Sequence, residues 1–238
     1  MMDVLNPYAR RARLAPVLIV MLPVGLAVAS WVPVEPAKWG SLLGLAAACG
    51  LTMFFSQLGR DQGKAKEAAL FESWGGKPTT RFLSHANSPL NAQTLERYHK
   101  RLRKLRRDFK LPTAEEEASD PTAAKTLYAS CVDYLLERTR DTKAFPLVFS
   151  ENVNYGFRRN LWGMKRVGLC IAVLAALACV ARTGLNWWRH EPVHEVSLIA
   201  AGICVCLGLL WTIRITPDWV RLAGDAYAQR LLAALEKL

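Results

Sequence analysis

The stretch RRNLWGMKRVGLCIAVLAALACVARTGLNWW, Arg158–Trp188, sets a cluster of cations beside an uninterrupted apolar run. Arg158, Arg159, Lys165 and Arg166 lead into VGLCIAVLAALACVA, which meets Arg182 and ends in TGLNWW. A bilayer core of about 30 Å needs about 20 helical residues. The run reaches that length if Arg182 snorkels outward or faces protein.

Three more runs have the same character. Leu14–Val34 and Trp39–Leu58 carry no charge, and Val196–Ile213 carries none either. The first follows Arg10, Arg11 and Arg13, as a secretory leader would, but it is longer than a leader's apolar core and no small-residue cleavage site follows. It reads as a retained helix. The expected fold class is therefore all-α: an integral membrane protein with two transmembrane helical hairpins flanking a helical cytoplasmic domain. The expected divisions are 1–58, the N-terminal segment and first hairpin; 59–166, a basic helical domain; 167–213, the second hairpin; and 214–238, an amphipathic tail helix.

Lys and Arg number 3 in residues 1–13, 21 in residues 59–166 and 4 in residues 214–238, out of 31 in the chain. The short loops near 35–38 and 183–195 hold only Lys38 and Arg189. Cytoplasmic loops are enriched in Lys and Arg, so both termini and the central segment are expected on the cytoplasmic side of the membrane. Residues 59–166 carry 13 acidic side chains against the 21 basic ones. That excess suits anionic lipid headgroups, an acidic soluble protein or nucleic acid bound without sequence preference.

Within 59–166 the pattern is helical. The second apolar helix should extend to Trp74, where Gly75 and Gly76 stop it. Asn91 is a fitting N-cap for a helix over 92–110, whose seam is Leu95, Tyr98, Leu102, Leu105 and Phe109. Arg97, Lys100, Arg101, Lys104 and Arg107 form its basic face. Thr113 and Glu116 fit a capping box, and Asp120-Pro121 fits the start of another helix running to about Arg140. A further helix should start near Pro146. In the tail, Val220, Ala223, Tyr227, Leu231, Ala234 and Leu238 make one stripe that should pack on these helices or on another subunit.

No catalytic constellation emerges, and no cofactor or metal is expected. The HEPVH of His190–His194 matches the HExxH zinc pattern in letters, but Pro192 breaks the helix that would align the imidazoles. A zinc hydrolase is thus only a remote alternative, and Pro192 better suits the start of the fourth apolar helix. The cysteines show no CxxC pair. Two candidate ligand sites stand out. In WGGKPTT, the Gly75-Gly76 amides with Lys77, Thr79, Thr80 and Arg81 could grip an anion. In ENVNYGFRRN, Asn152, Tyr155, Arg158, Arg159 and Asn160 exceed what a headgroup anchor needs. They make either a clamp between the central domain and the third apolar helix or a ligand corner.

WGGKPTT, TRDTKAFPL and ENVNYGFRRNLWGMK together resemble a family of bacterial four-helix integral membrane proteins that carries no assigned activity. The layout also resembles membrane effectors and sensors of antiphage systems. Two classes of function follow. One is a non-enzymatic membrane sensor or effector that changes helix packing or permeability. The other is an anchor that recruits a soluble enzyme or nucleic acid through the basic helix at 97–110. No acidic side chain lies in any apolar run, which argues against a selective ion channel. A homo-oligomer is expected, because Gly40, Gly44 and Ala48, and again Ser197 and Ala201, offer small faces for close helix approach.

Cysteine labelling in intact cells checks the orientation. Trp187→Cys is expected to react from outside, and Leu90→Cys only after lysis. The reverse pattern would invert the topology.

Overall fold

A computed structural model describes residues 7–32 and 50–238 with their side chains and residues 38–49 as helical backbone. The described residues are helical, with no strand among them. A π-helical turn, Ala9–Leu14, leads into α1, Ala15–Trp31; α2 is Lys38–Ala65, α3 Glu67–Ser73 and α4 Pro78–Arg81. Then come α5, Ala92–Leu105; α6, Ala114–Ser119; α7, Pro121–Arg138; and α8, Pro146–Gly163. The chain finishes with α9, Lys165–Trp188; α10, Glu195–Ile213; α11, Pro217–Ala233; and a 3₁₀ turn, Ala234–Glu236.

These elements form two compact units. Residues 1–66 and 156–219 make an apolar unit, and residues 67–155 and 220–238 make a polar one. Residues 59–66, 156–166 and 214–219, assigned from the sequence to the polar segments, therefore pack with the apolar helices. The chain passes from one unit to the other three times, at Lys66–Glu67, Tyr155–Gly156 and Trp219–Val220.

Among the described residues of the apolar unit, three helices are long and apolar enough to cross a membrane: the π turn with α1, then α9, then α10. The second apolar run lies in α2. Gly40, Gly44, Ala48 and Cys49 fall outside the residues described with side chains. Among α1, α9 and α10, many of the inward-facing residues are small, with Val17, Val20 and Trp211 the larger ones, and most large residues face outward. Ala172, Ala175, Cys179, Ala200, Ala201, Cys204 and Ser197 are buried, whereas Leu174, Leu177, Ile199, Val205 and Leu210 are exposed. In water this inversion would be an aggregation hazard. In lipid it is the expected arrangement, because the tails are as apolar as leucine and helices associate through close backbone approach. Ser197 and Ala201 are thus used inside the chain, which corrects their reading as an oligomer face.

The polar groups of this unit serve the same packing. Arg182 sits with its guanidinium 5.5 Å from the Trp31 ring centre, so it faces protein, and Trp31 Nε1 donates to the Ala178 carbonyl at 3.1 Å. Gly168 lies under Trp211: a Cβ there would come within 2.4 Å of the indole. α8 and α2 also meet closely, here against backbone. A Cβ on Gly163 would lie 2.5 Å from the Gly63 nitrogen and 2.7 Å from its Cα. Lys66 Nζ donates to the Gly163 carbonyl at 2.8 Å beside this crossing.

The polar unit has a core from α5, α7, the start of α8, α11 and the last turn. Leu83, Leu102, Tyr128, Cys131, Leu135, Val148, Leu231, Leu232 and Leu235 meet there. Its helix starts follow the sequence closely. Asn91 Oδ1 accepts from Thr94 N at 2.8 Å, Thr113 and Glu116 form the capping box, and Asp120 Oδ1 accepts from Ala123 N at 2.9 Å. Two expectations need correction. α5 stops at Leu105 rather than 110, because Arg106 turns extended, pairs with Asp108 and lies over the Phe109 and Tyr134 rings. The second apolar helix breaks at Lys66 before α3 instead of running unbroken to Trp74.

Gly163→Ala tests the helix crossing. Its Cβ meets backbone that cannot rotate away, so a loss of about 1–3 kcal/mol or more is expected. Gly202, with nothing within 4 Å of its would-be Cβ, is the control, and Gly202→Ala should be neutral or stabilising by up to about 1 kcal/mol. Thermal unfolding in mild detergent compares the two.

Candidate functional site

In the polar unit, a buried carboxylate organises the ends of several elements. Glu117, the last of three consecutive glutamates in α6, turns inward while Glu115 and Glu116 face solvent. Its Oε1 accepts from the Ser84 hydroxyl, and its Oε2 accepts from the His85 amide at 2.7 Å and the Tyr128 hydroxyl at 2.8 Å. Burial alone would raise its pKa, but these donors outweigh burial and hold the carboxyl below its ordinary range. The same bond, together with burial, pushes the Tyr128 phenol up.

Two histidines flank this hub. His99 is fully buried, with Nε2 2.8 Å from the Leu83 carbonyl, so Nε2 carries the proton. Its Nδ1 has no hydrogen-bond partner. Burial lowers its pKa, His85 and Arg103 add repulsion, and the Leu83 carbonyl and Glu96 oppose the shift. The His85 ring meets His99 edge to face at 4.8 Å, and its Nε2 lies 3.1 Å from the Pro112 carbonyl. Cys131, in the core nearby, is pushed up to about 12 by burial and stays an unreactive thiol.

Beside the hub lies a cavity of about 140 Å³, lined among others by Gly76, Arg81, Asn87, Glu117, Lys125 and Tyr128. It includes part of the sequence-derived anion corner, with a different set of donors. Gly75 and Gly76 adopt φ of 77° and 129°, and their amides already donate to the Glu72 and Phe71 carbonyls, closing α3. They are therefore not free for an anion. Lys77 is exposed and Thr79 is buried with an unpartnered hydroxyl; neither lines the cavity. Arg81 is buried, with Nη2 2.7 Å from Asp225 and Nη1 3.1 Å from the Trp74 carbonyl, while its Nε has no partner. Lys125, exposed on α7, supplies a second cation that no motif singles out.

The residues of ENVNYGFRRN fall in both units. Asn152 is half-buried in the polar unit, where Tyr155 donates to Glu67 Oε1 at 2.6 Å and stacks on Tyr227. The other three belong to the apolar unit. Arg158 donates to the Trp219 carbonyl at 2.9 Å and covers its ring. Asn160, buried, donates to the Ala12 carbonyl at 2.8 Å and accepts from Arg159. Lys165 continues the pattern: its Nζ caps α10 at the Thr212 and Ile215 carbonyls. Within the apolar unit this is a clamp, and it ties α8 to the π turn and to the segment after α10.

On the basic face of α5, Arg97 and Arg101 pair with Glu236 of the tail at 2.9 and 3.3 Å. Lys100, Lys104 and Arg107 are exposed and enter no ion pair among the described residues. The HEPVH loop is not helical. His190 has φ of 58°, α10 begins at Glu195 rather than at Pro192, and no cluster of metal-ligating side chains occurs among the described residues.

Comparison of the chain with family models, curated proteins and solved structures gave no match.

The hub gives the polar unit an acid-side signature. A lowered His99 pKa means that the unfolded chain takes up a proton first as pH falls below about 6.5, so stability should begin to drop there. The Glu117 contribution is complete above about 4.5 and is lost as pH falls further. Thermal unfolding against pH should show both stages. Glu117→Ala leaves three donors without their acceptor; it should cost roughly 3 kcal/mol at neutral pH and remove the lower stage.

Proposed function

We propose that the chain is a four-pass protein of the bacterial inner membrane acting as a non-enzymatic sensor or effector. In this reading the polar unit is cytoplasmic, as are both termini, and it receives a small anionic ligand or a partner. Occupancy then changes the packing of the membrane helices, or membrane permeability, in a homo-oligomer. The resemblance of the layout to membrane effectors of antiphage systems favours a role in defence.

The observation that carries this reading is the cavity beside Glu117. Arg81 and the exposed Lys125 both line it, within a volume suited to a phosphate- or carboxylate-sized group. Its carboxylate is saturated by three donors, so it supports orientation better than acid–base chemistry. The chain passes between the two units three times, and this reading uses those passages as its covalent route to the apolar helices. A second reading, a scaffold that recruits a soluble protein or nucleic acid, draws on exposed Lys100, Lys104 and Arg107.

Thermal unfolding of the purified protein with inorganic phosphate or small dicarboxylates tests the first reading. For a chain of this size, about 1 kcal/mol of linked binding raises the midpoint by roughly 2–4 °C. Lys125→Glu should abolish that shift and leave the unliganded midpoint nearly unchanged. An equal shift in wild type and variant would remove the cavity from the account, and binding lost instead in a Lys100→Glu plus Lys104→Glu variant would favour the scaffold.

A further inference from the structure

A second cavity, of about 280 Å³, opens in the apolar unit beside the π turn. Leu14, Met53 and Phe54 give it carbon walls, and Met53 and Phe54 are exposed. Ser56 also lines it, but its hydroxyl turns back to the Met53 carbonyl at 2.7 Å. Among the described residues that line it, the one charged side chain is Arg13.

The π turn explains why the cation stands there. Ala12 is buried: its Cβ lies 3.1 Å from where a Cβ on Gly156 would be, and its carbonyl is held by Asn160. With Ala12 committed to α8, the wider winding leaves Arg10 and Arg11 exposed and Arg13 half-buried against the cavity, its guanidinium 5.7 Å from the Tyr8 ring centre. The turn contains no acidic side chain. Asp61, further along α2, lies among Arg60 and Lys64.

We propose that this cavity binds an acidic glycerophospholipid, with a section of acyl chain along Leu14, Met53 and Phe54 and the phosphate on Arg13. The inference rests on the reading that the π turn with α1 crosses a membrane, which sets Arg13 at headgroup depth. A basic pocket between membrane helices on the cytoplasmic side is suited to an anionic headgroup. The carbon walls distinguish such a lipid from a free anion, which would use none of them. The cation favours it over bulk zwitterionic lipid, whose phosphate charge is balanced by its own ammonium and which gains less from a lone guanidinium.

The test uses the full chain, delipidated in mild detergent, with retention and thermal unfolding measured against added lipid. Phosphatidylglycerol should be retained about tenfold better than phosphatidylcholine of the same chains, a difference of about 1.4 kcal/mol. Arg13→Gln should erase this preference, Arg13→Lys should keep most of it, and Met53→Trp, which narrows the cavity, should lower retention of both lipids. Equal retention of the two lipids by wild type would overturn the proposal, as would an unchanged preference in Arg13→Gln. Glycerol phosphate alone reproducing the full stabilisation would also overturn it, since the site would then be for a free anion. Release of the protein from native membranes by alkaline carbonate would overturn the membrane reading beneath it. That outcome is distinct from a lost lipid preference in a protein that stays embedded.

Discussion

Gly163 and Gly63 meet backbone to backbone, and the apolar unit depends on that meeting. Helices whose outward faces are leucine and isoleucine gain nothing by hiding those faces from lipid, so they can be held together only by contact distance and by polar groups that find partners at the contact. The crossing supplies both. It removes side chains where α2 and α8 touch, and it brings Lys66 onto a helix-end carbonyl and Asn160 onto the π turn. Trp211 over Gly168 repeats the device between α9 and α10.

The polar unit is organised on the opposite principle. Its core is a conventional one of leucine, tyrosine and valine, and its loops are tied by one carboxylate that reaches a hydroxyl and an amide of the segment after α4 and a phenol of α7. Such a hub fixes the segment that follows α4 against α6 and α7, and so fixes the walls of the cavity beside it. Arg81 does the same from the other side by binding Asp225 and the end of the α3 cap.

What was legible in the sequence follows from which interactions are local. Caps at Asn91, Thr113 and Asp120 and the glycine stop at 75–76 are set by residues within four positions of one another, and all appear as read. The three spans are visible as composition alone. The end of α5 was not legible, because Arg106 leaves the helix for aromatic rings that include Tyr134, well away in sequence. Glu117 was hidden among three glutamates: nothing in EEE says which one turns inward, and its partners lie 11 to 33 residues away. The polar excess of ENVNYGFRRN did signal buried contacts, but their partners, Ala12, Trp219 and Glu67, come from remote parts of the chain.

The segmented build of the polar unit also bears on how the protein is made. Its core needs Leu231, Leu232 and Leu235, which are synthesised only after both α9 and α10. Residues 67–155 therefore leave the ribosome with an unfinished hydrophobic face and must wait, through the synthesis of two long apolar helices, for the segment that covers it. A nascent chain stalled in α9 or α10 would display exposed leucines rather than a finished unit, and cellular quality control could recognise it as incomplete. Folding of the polar unit is in this way timed by completion of the apolar one.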